Sequence, residues 1–306
     1  MSIKTQNPGI YKTLIAQLDK TARHNRQGSF RTKERYYDAM KRFCRFLADR
    51  FHLQKLANVS GKHLTAYVLY MQGQEMSAST IKTDLAAIRF FHDKMERTKY
   101  RLPSNDELAA ELERRRFGQV DRTWSNREFN LFLATAMSDG HEDFATIACL
   151  TWYAGLRIHE CFRIDTATAE YALRENAITV KGKGGKVRTV PINDSIRIEL
   201  EKFLAVTPRG HKLFVPDGVQ THHAIAQLQQ YIYRVRPSVQ DEGSARPMTH
   251  HGLRHSYAAR TWRELVDSGA SPLNASLRVS QLLGHERPDV THTYLVSILK
   301  DGGSHG

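Results

Sequence analysis

One arginine follows directly after an apolar segment, and its side chain is suited to binding a phosphate. The spacing predicts a helix from about Phe144 to Tyr153, followed by Gly155 and then Arg157. Gly155 permits a helix break or a close approach, and the guanidinium of Arg157 is a rigid fork of donors that suits a phosphate. Glu160 falls on the same helical face and is placed to hold the arginine. Taken alone, the pair also fits an ordinary surface ion pair.

A second arginine lies in the segment THHGLRHSYAAR. Thr249 is a suitable N-cap for a helix that runs to about Gly269. His251 and Arg254 are three residues apart, so both project from one face near the helix N-terminus. A phosphate there would meet both side chains, the free backbone N–H groups and the positive pole of the helix dipole.

A lysine is predicted at the tip of a β-hairpin. Residues 177–181 and 187–192 are rich in β-branched side chains and flank a glycine-rich turn that carries Lys183. The turn lacks the GxxxxGK[ST] pattern of a phosphate-binding P-loop. A lysine at such a tip can enter a DNA groove and donate a proton, although a solvated turn lysine is also common.

A tyrosine follows in the segment VSQLLGHERPDVTHTYLV. The pattern predicts a short helix that ends at Gly284, then His285, then a new helix opened by Pro288. Tyr294 lies on that last helix, nine residues after His285. A phenol with a pKa of about 10 is a poor nucleophile, but cationic donors around a target phosphate can stabilise its developing charge. Alone, it reads as a half-buried helical tyrosine.

Neither the histidines nor the cysteines predict a metal site. His251 and His255 are four residues apart, but an HEXXH zinc site requires a glutamate where Gly252 stands. The cysteines are widely spaced and odd in number, which argues against a disulfide framework and a cysteine-only zinc site. They are Cys44, Cys149 and Cys161.

The elements that must position these groups divide into two domains. We expect residues 1–100 to form a small helical domain, residues 101–120 a linker and residues 121–306 the second domain. The four predicted N-terminal helices begin at Pro8, Thr32, Ser60 and Ser79. Their aromatic residues are assigned to packing. Within the linker, ELAAELERRRFG is predicted to form a short helix after a proline break.

Charge indicates a polyanionic partner. The 306-residue chain carries a net charge of +13. Residues 1–120 hold 23 Lys and Arg against 12 Asp and Glu, a net +11, and the remainder holds +2. Charge alone fits a well-solvated surface about as well as nucleic-acid binding. Nucleic acid fits better than a membrane surface, because the basic residues alternate with buried-type aromatics. Without a transmembrane run or a signal-peptide core, we expect a cytoplasmic protein.

The ordered set of motifs, AGLR, a turn lysine, HGLRH, LLGH and a tyrosine nine residues later, resembles the tyrosine recombinases. These are the phage-integrase and Xer-like site-specific DNA recombinases. The resemblance covers most of the chain and implies a mainly α fold with a small antiparallel β-sheet. The N-terminal helices resemble the family's SAM-like core-binding domain, and the rest resembles its catalytic domain.

The resemblance implies a reaction and a role for each group. Tyr294 would attack a DNA phosphate and form a 3′-phosphotyrosyl link, while Arg157 and Arg254 hold the non-bridging oxygens. Lys183 would protonate the leaving 5′-oxygen. Two rounds of cleavage and rejoining would exchange strands through a Holliday junction. Because the phosphotyrosyl link conserves the bond energy, no ATP, metal or other cofactor is expected.

Three further residues would assist. His251 would help proton transfer with the tyrosine, His285 would hydrogen-bond the phosphate, and Glu160 would support Arg157 and His251. We choose His251 over the adjacent His250 because it gives the His-x-x-Arg spacing.

The resemblance also implies partners. The two domains would close as a C-shaped clamp on double-stranded DNA, with a homotetramer on DNA and a monomer or weak oligomer in its absence. Arg42, Arg45 and Arg89 are candidate DNA contacts of the basic first domain. No membrane partner is expected.

Two other functions remain open at this point. A topoisomerase could use the same chemistry to relax DNA without specific synapsis, and a non-catalytic DNA-binding regulator could share the basic surface. The box GLRIHECFRI also departs from the family, which more often has small or aliphatic residues at positions 159 and 161.

Overall fold

A computed structural model describes residues 5–23, 30–113, 120–182, 185 and 187–284, without the side chains of residues 30 and 31. The chain divides into two compact units, Met1–Arg115 and Arg116–Gly306. Across the described ranges the chain is mainly helical, with one small two-stranded antiparallel sheet, and the predicted fold class is confirmed. None of the helices in these ranges has an apolar stretch of bilayer-spanning length.

The first unit contains the four predicted helices. They are α1 (Pro8–Arg23), α2 (Phe30–Phe51), α3 (Gly61–Gly73) and α4 (Ala78–His92), with a 3₁₀ turn at Leu56–Asn58. Ser60 is the N-cap of α3, as predicted. The prediction that Thr32 caps the second helix is wrong, because α2 already begins at Phe30. The cap of α4 is Ser77, whose hydroxyl accepts the N–H of Thr80, so α4 begins at Ala78, one residue before the predicted start at Ser79.

Aromatic side chains fill the core of the first unit. The rings of Phe43 and Phe46 pack edge-to-face on Tyr67, with centroids 5.0 and 5.2 Å away. Aromatic pairs of this geometry add to the stabilisation from buried area. The assignment of these rings to packing is confirmed.

The short helix predicted after the proline is wrong over its described part, because residues 107–113 form no helix. The stretch from Pro103 to Glu111 is instead fixed to the helices of its own unit by bonds from side chains to backbone carbonyls. Arg89 Nε donates to the carbonyl of Pro103 at 2.7 Å, and Gln72 Nε2 donates to that of Glu111 at 2.8 Å. Carbonyls held from outside in this way compete with the local bonds a helix would need.

The second unit begins with a helical pair and a short sheet. Its first elements are α5 (Asn126–Ser138), α6 (Glu142–Ala154), α7 (Ile158–Cys161), α8 (Thr166–Glu175), β1 (Ala177–Lys181) and β2 (Val187–Pro191). They are followed by α9 (Asp194–Val206), α10 (Thr221–Val239), α11 (His250–Asp267) and α12 (Pro272–Leu283). The predicted helix starts and stops at Thr249, Gly155 and Gly284 are confirmed.

The hairpin pairs β1 and β2 in antiparallel register, as predicted. Ile178 lies opposite Val190, and Val180 lies opposite Arg188. All four side chains are on the buried face. The sheet therefore brings one arginine into the interior of the second unit, among apolar neighbours.

Candidate active site

One cleft of about 350 Å³ in the second unit gathers three of the predicted catalytic residues. Arg157, His251 and Arg254 all line it. The other three predicted catalytic residues, Lys183, His285 and Tyr294, lie outside the described residues. The lining residues come from the turn between α6 and α7, the start of α7, one face of α10 and the start of α11 with the two residues before it.

A glycine turns the chain into the cleft. Gly155 ends α6 in the left-handed region, with φ of +60°. A Cβ at this position would collide with the ring of Tyr257. The close approach predicted from the sequence is thus present, and two residues later Arg157 becomes the N-cap of α7.

Glu160 binds Arg157 and a second arginine. Its side chain is fully buried and accepts the backbone N–H of Arg157 at 2.7 Å and Arg157 Nη1 at 2.9 Å. Each of its oxygens also accepts a bond of 2.7 Å from Arg188. Burial alone would raise the pKa of Glu160, but Arg188 and Arg157 outweigh it and hold the pKa at about 2. The predicted support of Arg157 by Glu160 therefore has a direct geometric basis.

Arg188 was missed by the sequence reasoning. The available signal was its phase on β2, where Arg188 and Val190 alternate with exposed neighbours. An arginine in the inward phase of a half-buried strand requires a buried partner. Sequence alone does not say that this partner is Glu160.

Arg254 lines the cleft from its buried side and connects two helix ends. Its side chain is fully buried, and its Nη atoms donate to the carbonyls of Gly155 and Leu283. These carbonyls lie at the C-terminal ends of α6 and α12, where helix dipoles favour a cation. Arg254 therefore fixes the start of α11 to both helix ends.

The two adjacent histidines have different environments. His250 is buried, and its Nε2 lies 3.2 Å from the hydroxyl of Thr151. Desolvation lowers the pKa of His250 to about 3. His251 is accessible at the cleft, and desolvation, together with Arg254 and two other arginines, lowers its pKa to about 4. Both imidazoles are neutral at pH 7, and the more accessible His251 is the one that sequence spacing selects.

Gly252 lets the N-terminus of α11 approach another segment closely. A Cβ there would collide with the carbonyl of Arg122 and the ring of Trp124. The indole N–H of Trp124 donates to the carbonyl of Thr249 at 2.9 Å. The glycine between His251 and Leu253 therefore has a packing role that the motif analysis did not identify.

Three further polar residues of the cleft wall were also missed. They are His159, Gln229 and Arg236. Gln229 and Arg236 lie seven residues apart on α10, so helical periodicity places them on one face. Among residues with described placement, no group of three or more His, Cys, Asp or Glu is arranged to hold a metal ion.

The three arginines predicted to contact DNA have protein neighbours inside the first unit. Arg42 forms a two-point pair with the buried Asp84, at 2.7 and 3.1 Å. Arg45 lies over the ring of Tyr11, and Arg89 binds Pro103 and Asn105. These contacts show how each side chain is held, and binding to DNA remains a prediction.

Comparison with known proteins identifies the family. A profile described as the phage integrase family matches residues 126–298, and a phage integrase N-terminal SAM-like domain matches residues 14–102. The chain belongs to the phage integrase family. It is a tyrosine recombinase, the class of enzyme that cleaves and rejoins DNA.

The similarity to known relatives covers most of this tyrosine recombinase. Tyrosine recombinase XerC of Pediococcus pentosaceus is 24% identical over 293 residues, covering 92% of this chain and 92% of the relative. Tyrosine recombinase XerD of Shewanella oneidensis is 25% identical, covering 86% and 85%. The similarity therefore includes both units.

Solved structures share the fold. The XerH site-specific recombinase bound to a palindromic difH substrate has a TM-score of 0.62 at 17% identity, covering 100% of this chain and 91% of that one. A lambda integrase tetramer bound to a Holliday junction also has a TM-score of 0.62, at 16% identity, covering 92% and 76%. No finding supports the two other functions considered from the sequence.

Proposed function

We propose that this tyrosine recombinase exchanges DNA strands at a specific site through Tyr294. The phenolic oxygen attacks a backbone phosphorus, the bond from phosphorus to the 5′-oxygen breaks, and a 3′-phosphotyrosyl link forms. The freed 5′-hydroxyl of a second strand then reverses the attack. The observation that carries this proposal is the cleft shared by Arg157, His251 and Arg254.

Each side chain has a role in this reaction. Arg157 and Arg254 bind the non-bridging oxygens and stabilise the pentavalent transition state. Neutral His251 accepts the phenolic proton, consistent with its lowered pKa. Lys183 protonates the leaving 5′-oxygen, and His285 hydrogen-bonds the phosphate.

Double-stranded DNA is the proposed partner, and residues 1–100 and 121–306 are the proposed core-binding and catalytic domains, joined by a linker at 101–120. The solved XerH and lambda integrase complexes with DNA support this assignment by analogy of fold. The lambda integrase tetramer on a Holliday junction supports a homotetramer on DNA by the same analogy. We further propose that the free protein is a monomer or weak oligomer in the cytoplasm.

The test is the trapping of a covalent complex. The probes are overlapping duplexes that cover the DNA flanking the gene, each with a nick placed so that cleavage releases a short strand. Wild-type protein is expected to form a denaturation-resistant adduct on one of them, and Tyr294→Phe is expected to form none. Arg157→Ala should lower the rate by about 100-fold or more, because one preorganised charge is lost.

Arg174→Gln is the matched control for loss of an arginine. Its side chain is 68% exposed and contacts only nearby side chains, the carboxylate of Glu175 and the ring of Tyr171, so the variant should form adduct at the wild-type rate. An adduct that persists in Tyr294→Phe would contradict the assignment of Tyr294 as the nucleophile. Relaxation of plasmids that lack any flanking sequence would favour a topoisomerase instead.

A further inference from the structure

Arg188 joins two elements of the catalytic unit that are distant in sequence. Its side chain is 7% exposed and enters the interior from β2. Both Nη atoms bind the carboxylate of Glu160 at 2.7 Å, and Nε donates to the carbonyl of Leu282 at 3.0 Å. One guanidinium thus holds α7 and the C-terminal end of α12 at the same time.

The fit is specific to an arginine. A lysine carries its donors on a single atom and does not reproduce a planar fork with a third donor to the side. The stem of Arg188 is also packed closely, since a Cβ on Gly284 would lie 3.0 Å from its Cδ. The glycine that ends α12 therefore leaves room for the arginine.

Stability alone does not account for this pair. A buried ion pair gains little over a well-packed apolar pair of similar volume, because both charges lose their hydration. What the ion pair adds is geometry, since it allows one orientation of the carboxylate. That orientation is the one in which Glu160 also binds the backbone and the guanidinium of Arg157.

We propose that Arg188 is a positioning residue that fixes Glu160, and through it Arg157, against the C-terminal end of α12. The residues after that end are His285 and, further on, Tyr294. Arg188 thereby aligns the guanidinium of Arg157 for the transition state without touching the DNA. This assignment rests on the proposed function for its kinetic consequence, and on the structure alone for its contacts.

The kinetic test uses Arg188→Lys on the nicked duplex that traps the wild-type protein. The charge stays, but the fork is lost, so Glu160 and Arg157 lose their alignment. We expect the single-turnover rate of adduct formation to fall by about 10- to 100-fold, as for a misplacement of about 1 Å. The Kd for the same duplex should change by less than about twofold, since no DNA contact is removed.

Arg197→Lys is the matched control. Arg197 also binds a helix-end carbonyl, that of Leu173, and the side chain of Asn176, but it has no contact with Glu160. Its rate should equal that of the wild type. A merely structural role for Arg188 would reduce the amplitude of adduct formation and the unfolding temperature while the rate constant stayed unchanged, and that result would overturn the proposal.

Hydrogen exchange measured by mass spectrometry tests the positioning without any chemistry on DNA. Arg188→Lys should raise deuterium uptake in peptides that cover residues 156–162 and 279–284, and leave residues 194–206 unchanged. If Arg188→Lys takes up no more deuterium than the wild type in the first two peptides, the proposal is overturned, even if no cleavable duplex is found. If the wild type forms a Tyr294-dependent adduct and Arg188→Lys forms it at the same rate, the proposal fails and the proposed function stands.

Discussion

At the scale of single residues, two neighbouring histidines show how burial assigns roles that sequence leaves ambiguous. His250 and His251 share residue type and helix, and both line the cleft, yet His250 is buried beside Thr151, whereas the side chain of His251 is exposed. Enclosure penalises the imidazolium form because the surrounding atoms replace water. His250 is therefore a neutral packing group, and His251 is the histidine that we propose for proton transfer.

This difference predicts a pH dependence of stability. Burial holds the pKa of His250 at about 3 in the folded state, below its ordinary value of 6.5, so the unfolded chain binds the extra proton first as pH falls. Stability from this group is complete above the unfolded pKa and declines as pH falls toward the folded one. Between pH 7 and 5, the free energy of unfolding should decrease by about 2 kcal/mol more in the wild type than in His250→Gln.

Urea unfolding followed by tryptophan fluorescence measures this, since all three tryptophans lie in the second unit. The comparison with His250→Gln cancels the contributions of the other histidines. Equal slopes against pH in the two proteins would contradict the buried, neutral assignment.

At the scale of elements, helix ends do most of the positioning. The carbonyls at the end of α6 and α12 each bind Arg254, and α12 also binds Arg188. Cations at helix C-termini satisfy unpaired carbonyls and interact favourably with the dipole. The cleft is therefore fixed by where helices stop.

Gly155→Ala should disturb such an end. Its φ of +60° and the adjacent Tyr257 ring both oppose a side chain, whereas Gly210 has a φ of +83° with open space around it. Gly210→Ala carries only the backbone strain, so Gly155→Ala should lower the free energy of unfolding by about 1–3 kcal/mol more. Urea unfolding followed by fluorescence compares the two variants. Equal losses in the free energy of unfolding would show that the ring of Tyr257 moves aside without destabilising the protein.

The same elements show how far sequence reasoning reaches. Periodicity and caps located the four helices of the first unit together with α6, α11 and the end of α12, and motif spacing selected Arg157, His251 and Arg254, because these signals are local. Arg188 escaped because its partners Glu160 and Leu282 are 28 and 94 residues away. Contacts of that separation depend on tertiary packing, which a single sequence does not display. The catalytic roles of Lys183, His285 and Tyr294 remain predictions.

At the scale of the whole molecule, we expect the asymmetric distribution of charge to control how the protein associates with DNA. Net charges of +11 on residues 1–120 and +2 on the rest place most of the attraction on the first unit. Each phosphate neutralised by a basic side chain releases counterions, which makes binding depend on salt. Arg42 and Arg89 also hold their own unit together, so their substitution affects folding as well as binding.

Affinity for a duplex without the target site should therefore fall by about 10³-fold or more between 50 and 200 mM salt, as for proteins with six or more phosphate contacts. Fluorescence anisotropy of a labelled duplex measures this, with the unfolding temperature as a control over the same range. A decrease in affinity of less than tenfold would mean that the basic first unit does not bind the DNA through many phosphate contacts.

The saturated carboxylate of Glu160 has a consequence for engineering by hairpin exchange. A carboxylate offers about four lone-pair sites, and Glu160 accepts four N–H bonds, two from Arg157 and two from Arg188. Grafting a hairpin from a relative that lacks an arginine at position 188 would leave the buried carboxylate of Glu160 with Arg157 as its remaining arginine partner. A working chimaera would have to take both the hairpin and the residue at position 160 from the same relative, so positions 160 and 188 must be exchanged together.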